Sequence, residues 1–198
     1  MEIETKNNLG NQTNRTDRND DNLMFAHGGY RNLKSFQMAT LVVDLNVEFC
    51  ERYIDKRSRT LDQMIQAGRS GRQNIAEGSR AAGTSKKTEL RLTNVARASL
   101  EELLLDYEDY LRQRGLRIWT KDDSESVRVR NLGYNNPTHQ SYVSYLNNPE
   151  QAANMMICLI HQTNYLLDRQ LKTLSEEFLQ QGGFTERLYN KRQEYKRN

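Results

Sequence analysis

Apolar residues recur along much of this chain at spacings of three and four, the mark of helices buried along one face. One such series runs through Phe36, Ala39, Val43, Val47, Cys50 and Ile54, and Ser35 is placed to cap its start. Leu41, Leu45 and Phe49 widen the apolar face, which predicts a first helix buried on more than one side. A second helix is predicted over 59–82, with Leu61, Met64, Ile65 and Ile75 as its large apolar residues. Its middle is crowded with small ones: Ala67, Gly68, Ser70, Gly71, Ala76, Gly78 and Ser79. A glycine costs a helix about 1 kcal/mol relative to alanine. Three of them in eleven residues therefore predict that another backbone comes very close.

Gly83 is a stop signal, and Thr84 or Ser85 is placed to start the next helix. That third helix is predicted over 86–114, on a seam of Leu92, Val95, Ala96, Ser99, Leu103, Tyr107 and Leu111, and spans about 40 Å. A fourth opens with Asn148 as cap and Pro149 in first position. Its stripe is Met156, Ile160, Thr163, Leu167, Leu171, Leu174 and Phe178, and Gly182-Gly183 ends it. The expected fold is all-α, an antiparallel four-helix bundle over 33–182. Residues 1–32, rich in Asn, Asp, Thr and Gly, predict a mobile N-terminal arm, and 183–198 a basic C-terminal tail. The insertion 115–147 between helices three and four is too long for a bundle turn. Within it, Ile118-Trp119 and Val127-Arg128-Val129 predict a short hairpin.

At 198 residues the chain suits one domain with a core of its own. A mean hydropathy of −0.91 and no apolar run near the ~20 residues a bilayer requires exclude a transmembrane helix. The polar opening argues against a cleaved secretory signal. Two cysteines, Cys50 and Cys158, make no disulfide framework and suit a reducing cytoplasm.

A net charge of +3 says little, whereas its distribution is informative. Residues 56–97 hold ten bases against three acids, net +7, whereas 98–114 sum to −3 and 182–198 to +3. The end of the second helix, its turn and the start of the third thus form a basic pole. Lys86 and Lys87 fall in the first turn of the third helix, where the helix dipole disfavours cations. An anion there would meet unpaired N–H groups, two ammonium groups, Arg80 and Arg91, which makes a phosphate site. A solvated run of surface charge accounts for the same residues equally well. In the insertion, Arg117, Trp119, Lys121, Arg128, Arg130, Tyr134, His139, Tyr142 and Tyr145 interleave bases with aromatics. Stacking on unpaired bases is one reading; covering the end of the core is the more ordinary one.

Signals for catalysis are few. The stretch from Gly78 to Lys86 superficially suggests a P-loop, but Thr84 stands where the lysine belongs and the run follows a helix, not a strand. Cys158 and His161 share a helical face, yet no second pair completes a zinc site. A buried thiol beside a core histidine is the expected arrangement. Glu101, Glu102, Asp106, Glu108 and Asp109 read as a solvated face pairing with Arg97 or Arg112.

The run Arg69-Ser70-Gly71-Arg72-Gln73-Asn74-Ile75-Ala76-Glu77-Gly78, then Ser85 and Glu89, then Ala96-Arg97-Ala98-Ser99-Leu100-Glu101-Glu102, resembles a known family. It is the small four-helix-bundle family of large-subunit rRNA intervening-sequence proteins, and the resemblance covers 33–114 and, more weakly, helix four. It implies an antiparallel four-helix bundle that assembles into a homopentameric ring. The chain is also similar to the accessory variability proteins of diversity-generating retroelements, basic pentamers that bind nucleic acid and a reverse transcriptase. Its arm, insertion and tail look like the longer variety with a C-terminal suffix region. Asn74, Glu77 and Gly78 match the family motif. Asn74 and Glu77, three apart on the small-residue face, are expected to be hydrogen-bonding structural residues.

These readings predict a non-enzymatic, cytoplasmic homo-oligomer with no cofactor, metal or membrane contact. It is expected to bind RNA or DNA as an accessory factor through Arg69, Arg72, Arg80, Lys86, Lys87 and Arg91. The alternative keeps the oligomer but makes the partner a protein, such as a reverse transcriptase or other polymerase.

Overall fold

A computed structural model describes residues 24–135 and 137–197. Among them the protein is all-helical, with no strand: α1 (Lys34–Tyr53), α2 (Arg59–Ala81), α3 (Lys86–Gln113), α4 (Ser124–Tyr134), α5 (Pro149–Gln181) and α6 (Phe184–Arg197). Three short 3-10 turns accompany them, at Tyr30–Asn32, His139–Ser141 and Val143–Asn147. No helix among the described residues is long and apolar enough to cross a membrane.

One core lies between α1, α2, α3 and α5: α2 packs on α1 and α3, and α5 on α1 and α3. Phe49, Leu45, Met64, Ile75, Leu100, Leu103, Tyr107 and Met156 are fully buried there. α1 is buried on several sides, as its wide apolar face predicts. The small residues of α2 explain how closely α3 sits. A Cβ on Gly78 would lie 3.3 Å from Glu89 O, and one on Gly71 only 2.8 Å from Leu100 and 3.5 Å from Ala96 O. Asn46 joins three helices: its Nδ2 donates to Met64 O (2.9 Å) in α2, and its Oδ1 accepts from Tyr107 OH (2.8 Å) in α3.

Several elements differ from expectation. Leu33, not Ser35, occupies the cap position of α1; Ser35 is inside the helix and buried, its Oγ donating to Gln170 Oε1 of α5 at 2.7 Å. Ser85 and Asn148 cap α3 and α5 as predicted, accepting from Thr88 N and Gln151 N. The predicted hairpin is replaced by α4. Val127 and Val129 suggest alternation, but the face that packs on α5 carries Ser126, Val129 and Gly133, a helical period. Packing on α5 outweighs the strand preference of two β-branched residues. The predicted tail is helical from Phe184 to Arg197.

Residues 1–23 of the expected mobile arm lie outside the described residues. Residues 24–32 are not arm-like: Phe25 is buried, Phe25 N donates to Gly83 O (3.3 Å), and Gly28 N donates to Ser79 O (3.0 Å). Two cations approach the Phe25 ring, Lys86 Nζ at 5.2 Å and Arg187 Cζ at 4.3 Å from its centroid.

Candidate nucleic-acid interface

The basic pole is built from α2 and the first half of α3. Arg69 and Arg80 are eleven residues apart, about three turns, so they share a face of α2; both are exposed. Arg72 is half-buried. Lys87 and Arg91, one turn apart on α3, are exposed. The contact of Gly78 with Glu89 and Leu92 sets Arg80 level with the start of α3. Arg80, Lys87 and Arg91 therefore lie at the same end of the α2–α3 pair, while Arg72 and Arg69 follow about 12–16 Å further along α2; two residues from Gly78 and Gly71, Arg80 and Arg69 point away from the contact with α3. None of the five makes an ion pair among the described residues.

Lys86 does not belong to this set. It is 9% exposed, and its ammonium lies 3.0 Å from Glu89 Oε2 and 3.4 Å from Glu177 Oε2 of α5. The predicted anion at the start of α3 is thus supplied by the chain itself. Two carboxylates offset an ammonium that the helix dipole disfavours, so Lys86 is not offered to a phosphate. Burial pushes the Glu89 carboxyl above its ordinary range, and the Lys86 ammonium pulls it part of the way back. The i,i+3 spacing of Lys86 and Glu89 is a signal present in the sequence. Glu177, 91 residues away, is not.

Of the three motif residues, Gly78 allows the close helix contact described above. Asn74 is structural: its Nδ2 donates to Ser70 O (2.9 Å) and Ser70 Oγ (3.2 Å), and Ser70 Oγ pairs with Ser99 Oγ (2.9 Å) across the α2–α3 seam. Glu77 departs from expectation. It is exposed and makes no hydrogen bond through its side chain among the described residues, because its position faces solvent at the edge of the seam.

On the acidic half of α3, Arg112 pairs with Asp109 (2.6 Å) as predicted, whereas Arg97 reaches across to Asp168 of α5. Burial, with Glu102 and Asp109 nearby, pushes the Asp106 carboxyl upward. The field along the outer face of α3 therefore changes sign, from Lys87 and Arg91 to this carboxylate group.

Within the insertion, Tyr142 and Tyr145 are buried, and Trp119 packs edge-on to Tyr145 with centroids 6.5 Å apart. These rings cover the core. Tyr134 is 79% exposed and does not. His139 bonds Glu48 Oε2 at 2.8 Å. His161 is exposed, not the core histidine expected, and Cys158 is half-buried. Among the described residues no group of three or more His, Cys, Asp or Glu is arranged to hold a metal ion. Burial pushes the Cys50 thiol up to about 12, so it is not a nucleophile near neutral pH.

No protein-family model, curated protein or solved structure matches this chain in the comparisons made.

Proposed function

We propose that this chain is a non-catalytic, oligomeric protein of the cytoplasm that binds RNA or DNA through phosphate contacts from Arg69, Arg72, Arg80, Lys87 and Arg91. The observation that carries the reading is this set of five cations on α2 and α3, none of them in an ion pair among the described residues and four of them exposed. Such a surface grips a polyanion by releasing its counterions and carries no base preference. The reading includes an antiparallel four-helix bundle of α1, α2, α3 and α5. Their mutual packing and the short turn between α2 and α3 support it. The family resemblance of 69–102 supports a homopentameric ring and an accessory role.

A mobility-shift titration with RNA and DNA duplexes across a salt series tests the proposal. Engagement of four or five cations gives log K falling against log salt with a slope of roughly −4 on B-DNA. Lys87→Glu with Arg91→Glu flattens that slope and weakens binding more than tenfold, roughly 1.4 kcal/mol or more for two reversed contacts. No binding at low salt, or binding that ignores salt or the double substitution, refutes it.

A second reading, a scaffold for a protein partner such as a polymerase, is favoured by Val95 and Leu105, which α3 leaves 38% and 56% exposed. Retention of a partner from nuclease-treated extract, lost on Leu105→Asp, supports that reading over the first.

A further inference from the structure

Away from the α2–α3 face, a cleft of about 1090 Å³ opens between the start of α1, the helix α4 and the outer side of α5, edged by residues 118–122. No residue of α2 lines it. Met38, Ile157, Leu166 and Trp119 give it an apolar floor. Its walls repeat one pattern. α4 presents Arg130 and Tyr134, and α5 presents His161, Tyr165 and Arg169, at spacings of four that keep each set on one helix face. Tyr134 is 79% and Tyr165 61% exposed, and neither ring packs on another ring among the described residues. Lys34, Lys121, Arg130 and Arg169 line the cleft against only two acids, Glu108 and Asp122, so it favours an anion.

The walls are held in place before any ligand arrives. Gly133 has no side chain where a Cβ would lie 2.7 Å from Gln162 Nε2, so α4 sits directly on Gln162. That Nε2 donates to Arg130 O at 3.0 Å. One Arg130 nitrogen is spent on Lys121 O (2.6 Å), which orients the guanidinium, and Arg169 has no partner for its own among the described residues. On the other side Asn154 fixes the backbone of 117–119, accepting from Trp119 N (2.7 Å) and donating to Arg117 O (2.8 Å). Exposed rings over an apolar floor accept a planar base at low entropic cost, and the guanidinium groups bind phosphate oxygens.

We infer that this cleft is a nucleotide-binding site, with the base against Tyr134 and Tyr165 and the phosphate drawn to Arg130 and Arg169. The same chemistry is offered by a free nucleotide and by an unpaired nucleotide of a strand. The inference does not rest on the α2–α3 face.

Trp119 is the only tryptophan and lines the cleft, so its emission reports occupancy directly. The full chain is titrated with AMP, GMP and UMP, and with adenosine as the form lacking phosphate. A short oligouridylate is titrated against the Lys87→Ala/Arg91→Ala chain, which lessens the contribution of the other face, and only the Trp119 signal is read. Saturable quenching is expected, weakened about tenfold by Tyr134→Ala and by Arg169→Ala. Both residues are exposed, so the thermal melt should not move. Response to the mononucleotides assigns a free nucleotide, and response to the oligonucleotide alone assigns a strand. No saturable signal with either, binding indifferent to both substitutions, or adenosine binding as tightly as AMP overturns the inference.

Discussion

Replacing Lys86 by methionine separates a buried counter-ion from a phosphate contact. The side chain is about one-tenth exposed, with its ammonium 3.0 Å from Glu89 and 3.4 Å from Glu177. Methionine retains most of the stem but leaves Glu89, equally buried, beside Glu177 with no cation between them. Removing one partner of a buried pair costs about 3–5 kcal/mol. Glu177 is 42% exposed and partly hydrated, which lowers the expected loss to about 2–3 kcal/mol. Burial already pushes Glu89 upward from its ordinary value of 4.5, and loss of the ammonium pushes it further. An acid raised in the folded state costs nothing below its unfolded value, and its penalty grows as pH climbs toward the folded value. The destabilisation should therefore be larger near pH 8 than near pH 5. Urea unfolding, followed by the helical circular dichroism signal at both pH values, measures it. The salt dependence of nucleic-acid binding should stay that of the unaltered protein. A loss below about 0.5 kcal/mol, an equal loss at both pH values, or a salt slope reduced by one phosphate contact refutes the assignment of Lys86 to the interior.

Tyr107→Phe keeps the ring but leaves Asn46 Oδ1 with only the Cys50 thiol, at 3.8 Å, as partner; the expected cost is about 1–2 kcal/mol in the same urea assay, and an unchanged midpoint would mean the bond contributes nothing. Asn154→Ala removes three hydrogen bonds, to Trp119 N, Arg117 O and Glu150 O. It should cost about 2–3 kcal/mol and shift the emission of Trp119 to the red as 117–119 leaves α5, whereas unmoved emission would show that the segment is held elsewhere.

The long helices were legible because each repeats its apolar spacing over many turns and carries local punctuation: Ser85 and Asn148 at starts, Gly182 at an end. The glycines of α2 announced the approach of α3 for the same reason, since a local cost implies a contact elsewhere. Where a local signal competed with a distant surface, the sequence misled. Val127 and Val129 look like strand until α5 buries Val129 and leaves Val127 exposed. Phe25 looks like part of a polar arm until Gly83 and Ser79 accept its segment's N–H groups. At the basic pole, charge clustering pointed to Arg80, Lys86, Lys87 and Arg91 together, but the fate of Lys86 depends on Glu177, which only the fold brings near. The cleft beside α4 was half-readable: its aromatic and basic residues stood out in the insertion, while its other wall, His161, Tyr165 and Arg169, is hidden in the exposed face of an otherwise ordinary helix.

The Phe25 ring meets both Lys86 and Arg187, and this ties together stretches from near opposite ends of the sequence. Trimming either end is then not a local change. A shortened chain lacking 24–32 takes the Phe25 ring away from both cations, and one lacking α6 takes Arg187 away from the ring. Boundaries drawn at 32 and 183, natural as they look on paper, both cut through this contact.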